Sequence, residues 1–155
     1  MITVEDSTPP VITCPADITI ECDESIDPSI NLELGVATGT DNCGLVTITF
    51  LDGDPTYDPE CPQGYVFTRT WTAEDECGNS SSCPQVITVE DTTPPTITCP
   101  ADITVECNTS TDPAATGSAT ATDNCGQVTI TFQDGDPTYD PDCPQAYYFT
   151  RTWTA

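Results

Sequence analysis

The sequence predicts an all-β protein made of antiparallel β-sandwiches arranged in tandem. Short stretches that alternate apolar and polar residues, most clearly residues 46–50 and 128–132, lie between turns rich in Gly, Pro, Asn and Asp. No window has a sustained helical period, and threonine, which favours strands, is abundant throughout. The sequence also repeats itself, which indicates two modules of the same fold.

The repeat has a nearly fixed period. Residues 11–22 and 96–107 are almost identical and lie 85 residues apart, whereas the offset is 82 residues from Cys61 to Cys143. The difference of three residues falls between Cys22 and Cys43, so that segment is expected to be a loop or a strand end. A module of this size has only a thin hydrophobic core and needs further stabilisation.

The period divides the chain into three parts. Residues 1–10 contain the final strand of a preceding module and a Pro-Pro linker, which two prolines make stiff. Residues 11–91 form a complete module, and residues 92–155 form a second module that lacks its last loop and strand. Since residues 2–6 repeat residues 87–91, the chain is expected to be a window of a longer array, or a subunit that begins in the middle of a module.

Other strands are predicted from the same alternation, at residues 18–22, 32–36, 65–73 and 86–89. In one of them Phe67, Arg69 and Trp71 share a face. We therefore expect Arg69 to lie flat over an aromatic neighbour, with its head paired to a surface carboxylate. The alternative is a ligand-binding arginine.

The charge of the chain limits its partners. Asp and Glu number 26 against two arginines, with no lysine, and the net charge is −24. Nucleic acid and anionic membranes are therefore excluded as partners, and no stretch is long and apolar enough to span a bilayer. The surface is either a solvated acidic one or is neutralised in part by divalent cations.

The cysteines predict an oxidising, extracellular environment. Six cysteines per module are typical of small secreted domains stapled by disulfides, and a zinc site is disfavoured because the chain has no His and no Cys-x-x-Cys. The absence of His and Lys removes the common general bases and Schiff-base nucleophiles, so we expect no enzyme activity.

Three motifs carry a family resemblance. They are Ile-Thr-Cys-Pro-Ala-Asp-Ile-Thr at residues 12–19, Asp-Asn-Cys-Gly at residues 41–44 and Trp-Thr-Ala-Glu-Asp-Glu-Cys-Gly-Asn at residues 71–79. Together they closely resemble the hyalin-repeat domain, over the whole first module and the second as far as it extends. The resemblance implies tandem immunoglobulin-like antiparallel β-sandwiches of extracellular matrix, adhesion and cell-surface proteins, generally without catalysis. The Asp-rich segment 52–58 and the cysteines Cys22 and Cys61 depart from the family pattern.

Sequence alone leaves fifteen pairings for six cysteines. The immunoglobulin-like path that the resemblance implies selects Cys14–Cys83, Cys43–Cys77 and Cys22–Cys61, with Cys107–Cys143 in the second module. The three bridges of the first module would together contribute about 10 kcal/mol before strain in the chain-entropy model.

The same path predicts a calcium site where one module meets the next. Asp6, Asp41 and Asp75 are expected to converge there, with Glu5 and Asn42 nearby. The equivalent residues at the next junction are Glu90, Asp91, Asp123 and Asn124. Hard oxygen ligands without nitrogen or sulfur suit calcium. The alternative is that these residues only cap turns.

A second, weaker cation site is considered in an acidic loop that occurs in both modules, at Asp52, Asp54, Asp58, Asp134, Asp136 and Asp140. Its spacing does not match a helix-loop-helix calcium loop, so a solvated turn is the favoured interpretation. Asn79 lies in an N-glycosylation sequon, but we expect it to order its own loop.

The sequence therefore predicts a structural module of an extracellular filament or matrix fibre. The alternatives are a stalk module of a cell-surface adhesin and a carbohydrate- or partner-binding module, for which only Tyr57 and Tyr139 are candidate platforms. Head-to-tail self-assembly is expected, because an open sandwich edge is a template for another strand. It would arise from a continuous array or from donation of Ile2, Thr3 and Val4 to the next subunit.

Overall fold

The computed structural model describes residues Met1–Ala155. Strands form most of the regular structure and nearly all of them pair antiparallel, so the predicted all-β class is confirmed. The chain divides into two compact units, Met1–Thr92 and Thr93–Ala155. No helix is long and apolar enough to cross a membrane.

The first unit has seven strands and one 3-10 helix. The strands are β1 (Val11–Thr13), β2 (Ile18–Glu21), β3 (Thr38–Thr40), β4 (Val46–Asp52), β5 (Thr56–Tyr57), β6 (Tyr65–Asp75) and β7 (Ser80–Glu90). The main sheet has the order β2-β7-β6-β4, with β5 also paired to β6, and β1 pairs separately with β3. All of these pairs are antiparallel except β2 with β7, which is parallel. The arrangement is compatible with an immunoglobulin-like sandwich.

The core lies on one face of β6 and β7. Alternate residues of β6 are buried, and β7 buries Gln85, Ile87 and Val89 on the same face. Ile20 of β2 and Leu34 pack against this apolar cluster. The period of two that identifies these strands in the sequence therefore also selects the residues that are removed from water.

A buried glutamine is at the centre of this core. Gln85 is fully buried, and its Nε2 donates to the carbonyl oxygens of Ala16 at 2.9 Å and Leu34 at 2.8 Å. Its Oε1 accepts a hydrogen bond from Trp71 Nε1 at 3.0 Å. One side chain thus satisfies polar groups from three segments of the unit, which fixes their positions relative to β7.

Two segments predicted as strands fold differently. Residues 32–36 contain a 3-10 helix, Leu32–Leu34, because the Asn31 side chain caps it by accepting from Glu33 N, and because Gly35 adopts a φ of 67° that ends it. The helix turns Leu34 into the core. Residues 2–6 form no strand, and Ile2 and Val4 are 93% and 91% exposed.

The second unit has six short strands and one helical turn: β8 (Thr96–Thr98), α1 (Pro113–Thr116), β9 (Thr120–Thr122), β10 (Thr131–Asp134), β11 (Thr138–Tyr139), β12 (Tyr147–Tyr148) and β13 (Arg151–Thr154). They pair only as β8 with β9, β10 with β13, and β11 with β12. Its α1 occupies the place of the 3-10 helix of the first unit, but buries no residue. Residues 103–106, the counterpart of β2, form no strand.

One predicted disulfide is present and others are wrong. Cys14 and Cys83 are bonded, with their Cα atoms 6.1 Å apart, as predicted. Cys61 has a free thiol, whereas Cys22 is disulfide-bonded, so the predicted Cys22–Cys61 bridge is wrong. The reason is that β7 lies between β2, which Cys22 follows, and β6, which Cys61 precedes. Two strand spacings of about 4.8 Å exceed the Cα separation that a disulfide spans.

The same error affects the second unit. Cys107 and Cys143 both have free thiols, so the predicted bridge between them is not formed. Both line an open groove of the second unit. Cys125, for which no pairing was predicted, is disulfide-bonded.

Candidate metal centre

Three carboxylates converge at the end of the first unit where the Pro-Pro linker enters it. Asp6 precedes the linker, Asp41 lies in the loop between β3 and β4, and Asp75 ends β6. One carboxylate oxygen from each of them lies within 4.8 Å of the other two. The structure therefore brings together three residues that the sequence placed at one predicted site.

Each of these carboxylates also caps a turn. In each case it accepts a hydrogen bond from the backbone N–H two residues further along the chain, which is an Asx-turn. The donors and distances are Thr8 to Asp6 at 3.1 Å, Cys43 to Asp41 at 2.9 Å and Cys77 to Asp75 at 2.8 Å. Capping thus fixes the orientation of the three carboxylates. The geometry is compatible with both interpretations of these residues, a calcium site and the capping of turns.

Asn79 joins two of the three loops. Its backbone N–H donates to Asp75 Oδ1 at 2.9 Å, and its Nδ2 donates to Asp75 Oδ2 at 2.8 Å and to the carbonyl oxygen of Asp6 at 3.2 Å. The prediction that Asn79 orders its own loop is confirmed. Its contact with the segment of Asp6 was missed, because nothing in the sequence relates residues so far apart.

The electrostatics of the cluster favour a bound cation. Hydrogen bonds from the Asn79 side chain, and then from backbone N–H groups, outweigh burial and lower the pKa of Asp75 from its usual value, so this carboxylate stays ionised. Asp41 Oδ2 is buried and has no hydrogen-bond partner. A buried, unpaired carboxylate oxygen in a residue that lies close to two other carboxylates is unfavourable unless a positive charge neutralises it.

Two thiols lie beside the carboxylates. Cys43 and Cys77 are both reduced, so the bridge predicted between them is not formed. The Cys43 sulfur instead accepts a hydrogen bond from Asn42 Nδ2 at 2.8 Å. Burial, followed by the negative charge of Asp6, raises the pKa of both thiols, which keeps them protonated and makes them poor metal ligands.

The other predicted ligands do not join the three carboxylates. Glu5 is exposed, and Asn42 contacts its own neighbour in the chain. At the second junction Glu90 and Asp91 belong to the first unit, whereas Asp123 and Asn124 belong to the second. Asp123 caps its loop by accepting from Cys125 N at 2.9 Å. The second junction site therefore stays a prediction.

The weaker second cation site stays a prediction, and an arginine occupies its first carboxylate in each unit. Arg69 Nε donates to Asp52 Oδ1 at 2.6 Å, and its Nη2 donates to Asp52 Oδ2 at 2.9 Å. The guanidinium lies 4.3 Å from the centre of the Phe50 ring. Arg69 thus pairs with a carboxylate over an aromatic ring, as predicted, and Arg151 does the same with Asp134 and Phe132.

The remaining residues of the acidic loops serve as turns. Asp58 accepts from Glu60 N at 2.8 Å and Asp140 accepts from Asp142 N at 2.8 Å. Asp54 and Asp136 are exposed. The favoured interpretation of these loops, a solvated turn, agrees with this geometry.

The pair of Asp134 and Arg151 should make the second unit sensitive to acid. The hydrogen bonds from Arg151 lower the pKa of Asp134 from its usual value of 3.8. A carboxylate whose pKa is lower in the folded state than in the unfolded state stabilises the fold at pH values above its unfolded-state pKa. This stabilisation is lost as the pH falls through the folded-state pKa. We expect Asp134→Asn to melt lower than the wild type at pH 6, and the difference to shrink below about pH 4.

Thermal unfolding of both proteins between pH 6 and about pH 2.5 would measure this. Asp136→Asn, which removes the same charge from an exposed position in the same loop, is the matched control. A pH-independent difference between Asp134→Asn and the wild type would contradict the expectation.

No known family model matches the chain, and no characterised protein shows significant similarity to it. The geometry of the three carboxylates is therefore the main support for a functional interpretation.

Proposed function

We propose that the chain is a structural repeat module of an extracellular filament or matrix fibre, stiffened by disulfides and by calcium at the module junction. The observation that carries the proposal is the convergence of Asp6, Asp41 and Asp75 where the linker enters the first unit. The Cys14–Cys83 disulfide and the resemblance to the hyalin-repeat domain support an extracellular setting.

The donor set fits calcium better than a transition metal. All the groups facing the centre are carboxylate oxygens, the chain has no histidine, and the two nearby thiols are protonated. Calcium takes six to eight oxygen ligands in flexible geometry, so the three carboxylates would be completed by water. The unpartnered Asp41 Oδ2 is available as a ligand without loss of an existing hydrogen bond.

Calcium at this position would connect the linker to the module. Asp6 lies just before Pro9 and Pro10, whereas Asp41 and Asp75 belong to loops of the folded unit. An ion held by all three would fix the direction in which the chain enters the module. Repetition of that arrangement along an array of modules would give a stiff fibre.

We expect calcium to stabilise the first unit. At about 10 mM calcium and the Kd of about 0.1–1 mM that is usual for extracellular modules, the gain is about 1–3 kcal/mol in the free energy of unfolding. Thermal unfolding in calcium and in a chelator would measure it. Asp41→Asn and Asp75→Asn should remove most of the gain.

Asp54→Asn is the control for the loss of one negative charge, since Asp54 is exposed and outside the cluster. Its response to calcium should equal that of the wild type. A melting temperature that calcium and chelator leave unchanged in the wild type would overturn the calcium part of the proposal.

A binding role is the second candidate, and exposed tyrosines favour it. Tyr57 and Tyr139 are 60% and 59% exposed, and each packs against a second tyrosine with ring centroids 5.5 Å apart. Such paired rings could stack on a sugar. Tyr57→Ala with Tyr139→Ala should abolish retention on a glycan array if this role is correct, whereas a fibre module requires no such retention.

A further inference from the structure

The second unit has an open groove that runs between two segments of its chain. The groove has a volume of about 840 Å³ and is lined on one side by residues 99–107 and on the other mainly by residues 145–151. Apolar side chains are exposed along it. Ile103 is 57% exposed, and Tyr147 and Tyr148 are 47% and 71% exposed.

The first unit shows what fills the equivalent space. There β7 lies between β2 and β6, whose counterparts in the repeat are the two sides of the groove. The three partners of Gln85 in the first unit are Ala16, Leu34 and Trp71. Their counterparts Ala101, Thr116 and Trp153 all line the groove. The groove therefore corresponds to the position that β7 occupies in the first unit.

The second unit has less regular strand structure on the two segments that line the groove. β6 is one strand of eleven residues in the first unit, whereas the equivalent segment is divided into β12 and β13. The counterpart of β2, residues 103–106, forms no strand at all. Neither segment pairs with another strand along the groove, so a strand inserted between them would supply partners for their backbone groups.

The chain itself contains a segment with the required sequence. Residues 2–6 are Ile-Thr-Val-Glu-Asp, identical to residues 87–91, and residues 87–89 are the part of β7 that pairs with both β2 and β6. Ile2 and Val4 are almost fully exposed and belong to no strand. The first four of these five residues thus lie in a strand in one copy of the sequence and outside any strand in the other.

We propose that the groove of the second unit accepts residues 1–5 of a second copy of this chain as a β-strand. The proposal rests on the fibre function above and specifies its contact. By analogy with the first unit, the strand pairs parallel to residues 103–106 and antiparallel to residues 147–149. Ile2 then takes the place of the buried Ile87, and Val4 takes that of Val89.

The donor copy keeps its metal centre in this arrangement. Asp6 follows the donated strand as Asp91 follows β7, so Asp6 remains with Asp41 and Asp75 of its own unit. The contact joins one end of a copy to the other end of the next. A head-to-tail contact that does not close produces an open filament.

Two variants with complementary defects test the proposal. Thr3→Pro blocks the donated strand, because proline cannot occupy a central strand, and leaves the groove intact. Thr104→Pro blocks one side of the groove and leaves the donor intact. Thr104 is exposed and outside any strand, so the fold of the isolated chain does not depend on it. Thr3→Val is the control, because valine favours strands and keeps the backbone N–H that proline lacks.

Sedimentation velocity from about 10 μM to about 1 mM, in about 0.5 M salt to screen the like charges, would measure assembly. We expect the wild type and Thr3→Val to form oligomers that grow with concentration. Each proline variant alone should be monomeric, and an equimolar mixture of the two should form dimers and nothing larger. A peptide of residues 80–91, which covers the whole groove, should dissociate the oligomers.

A monomeric wild type at about 1 mM, or oligomers of Thr3→Pro alone that match those of the wild type, would overturn the proposal. Neither result would decide the proposed fibre function. That function is tested separately by the effect of calcium on the melting of the first unit, which does not require assembly.

Discussion

Replacing Cys14 and Cys83 together by alanine is expected to lower the free energy of unfolding of the first unit by about 4 kcal/mol. The bridge closes a loop with a sequence separation of 69, and the chain-entropy model assigns that amount to a loop of this length. Urea unfolding of the oxidised wild type and the double variant would measure the difference. For a unit with a thin core, this is a large part of its total stability.

The second unit supplies the control. Cys99 is the counterpart of Cys14, and Cys99 and Cys143 are both exposed and reduced. Cys99→Ala with Cys143→Ala removes two cysteines without removing a bridge, and should change the unfolding free energy of the chain little. A loss in this control equal to that of Cys14→Ala with Cys83→Ala would show that the bridge is not the cause.

Gln85→Leu is expected to destabilise the first unit by about 3–5 kcal/mol, although it places an apolar side chain of similar size in a buried position. The substitution leaves Trp71 Nε1 and the carbonyl oxygens of Ala16 and Leu34 without partners. Each buried group that loses its partner costs about 1–3 kcal/mol. Denaturant unfolding followed by tryptophan fluorescence would report the loss.

Gln133→Leu is the matched control, because Gln133 lies in β10 and is exposed. It should leave the unfolding free energy within about 0.5 kcal/mol of the wild type. If Gln85→Leu proves as stable as the wild type, the hydrogen bonds of Gln85 do not hold the core together.

The longer strands of the first unit could be predicted from the sequence because each has its own local pattern. The alternation in β4, β6 and β7 gives their approximate positions, and in β6 and β7 it also marks the buried face. The 3-10 helix could not be predicted, since Leu32 and Leu34 also alternate and only the capping by Asn31 and the turn at Gly35 distinguish it from a strand. Gln85 was not predicted as a core residue, because a polar residue on an apolar strand face looks like a break in the hydrophobic pattern.

The prediction of the site depended on topology. The three acidic loops were correctly placed at one end, because that requires only that the strands between them alternate in direction. The prediction that Cys22 pairs with Cys61 failed because it depended on which strand lies beside β2. That neighbour cannot be identified from the sequence, because β7 comes from the far end of the module and pairs with β2 in parallel. Long-range parallel pairing leaves no local signal.

The position of the Cys14–Cys83 bridge has a mechanical consequence. Tension applied to the two ends of the first unit passes from Cys14 through the bridge to Cys83, and then along β7, which is already extended. About 230 Å of chain between the two cysteines, which includes β2, β4 and β6, is shielded from the load. The unit therefore yields only a short extension before it becomes taut.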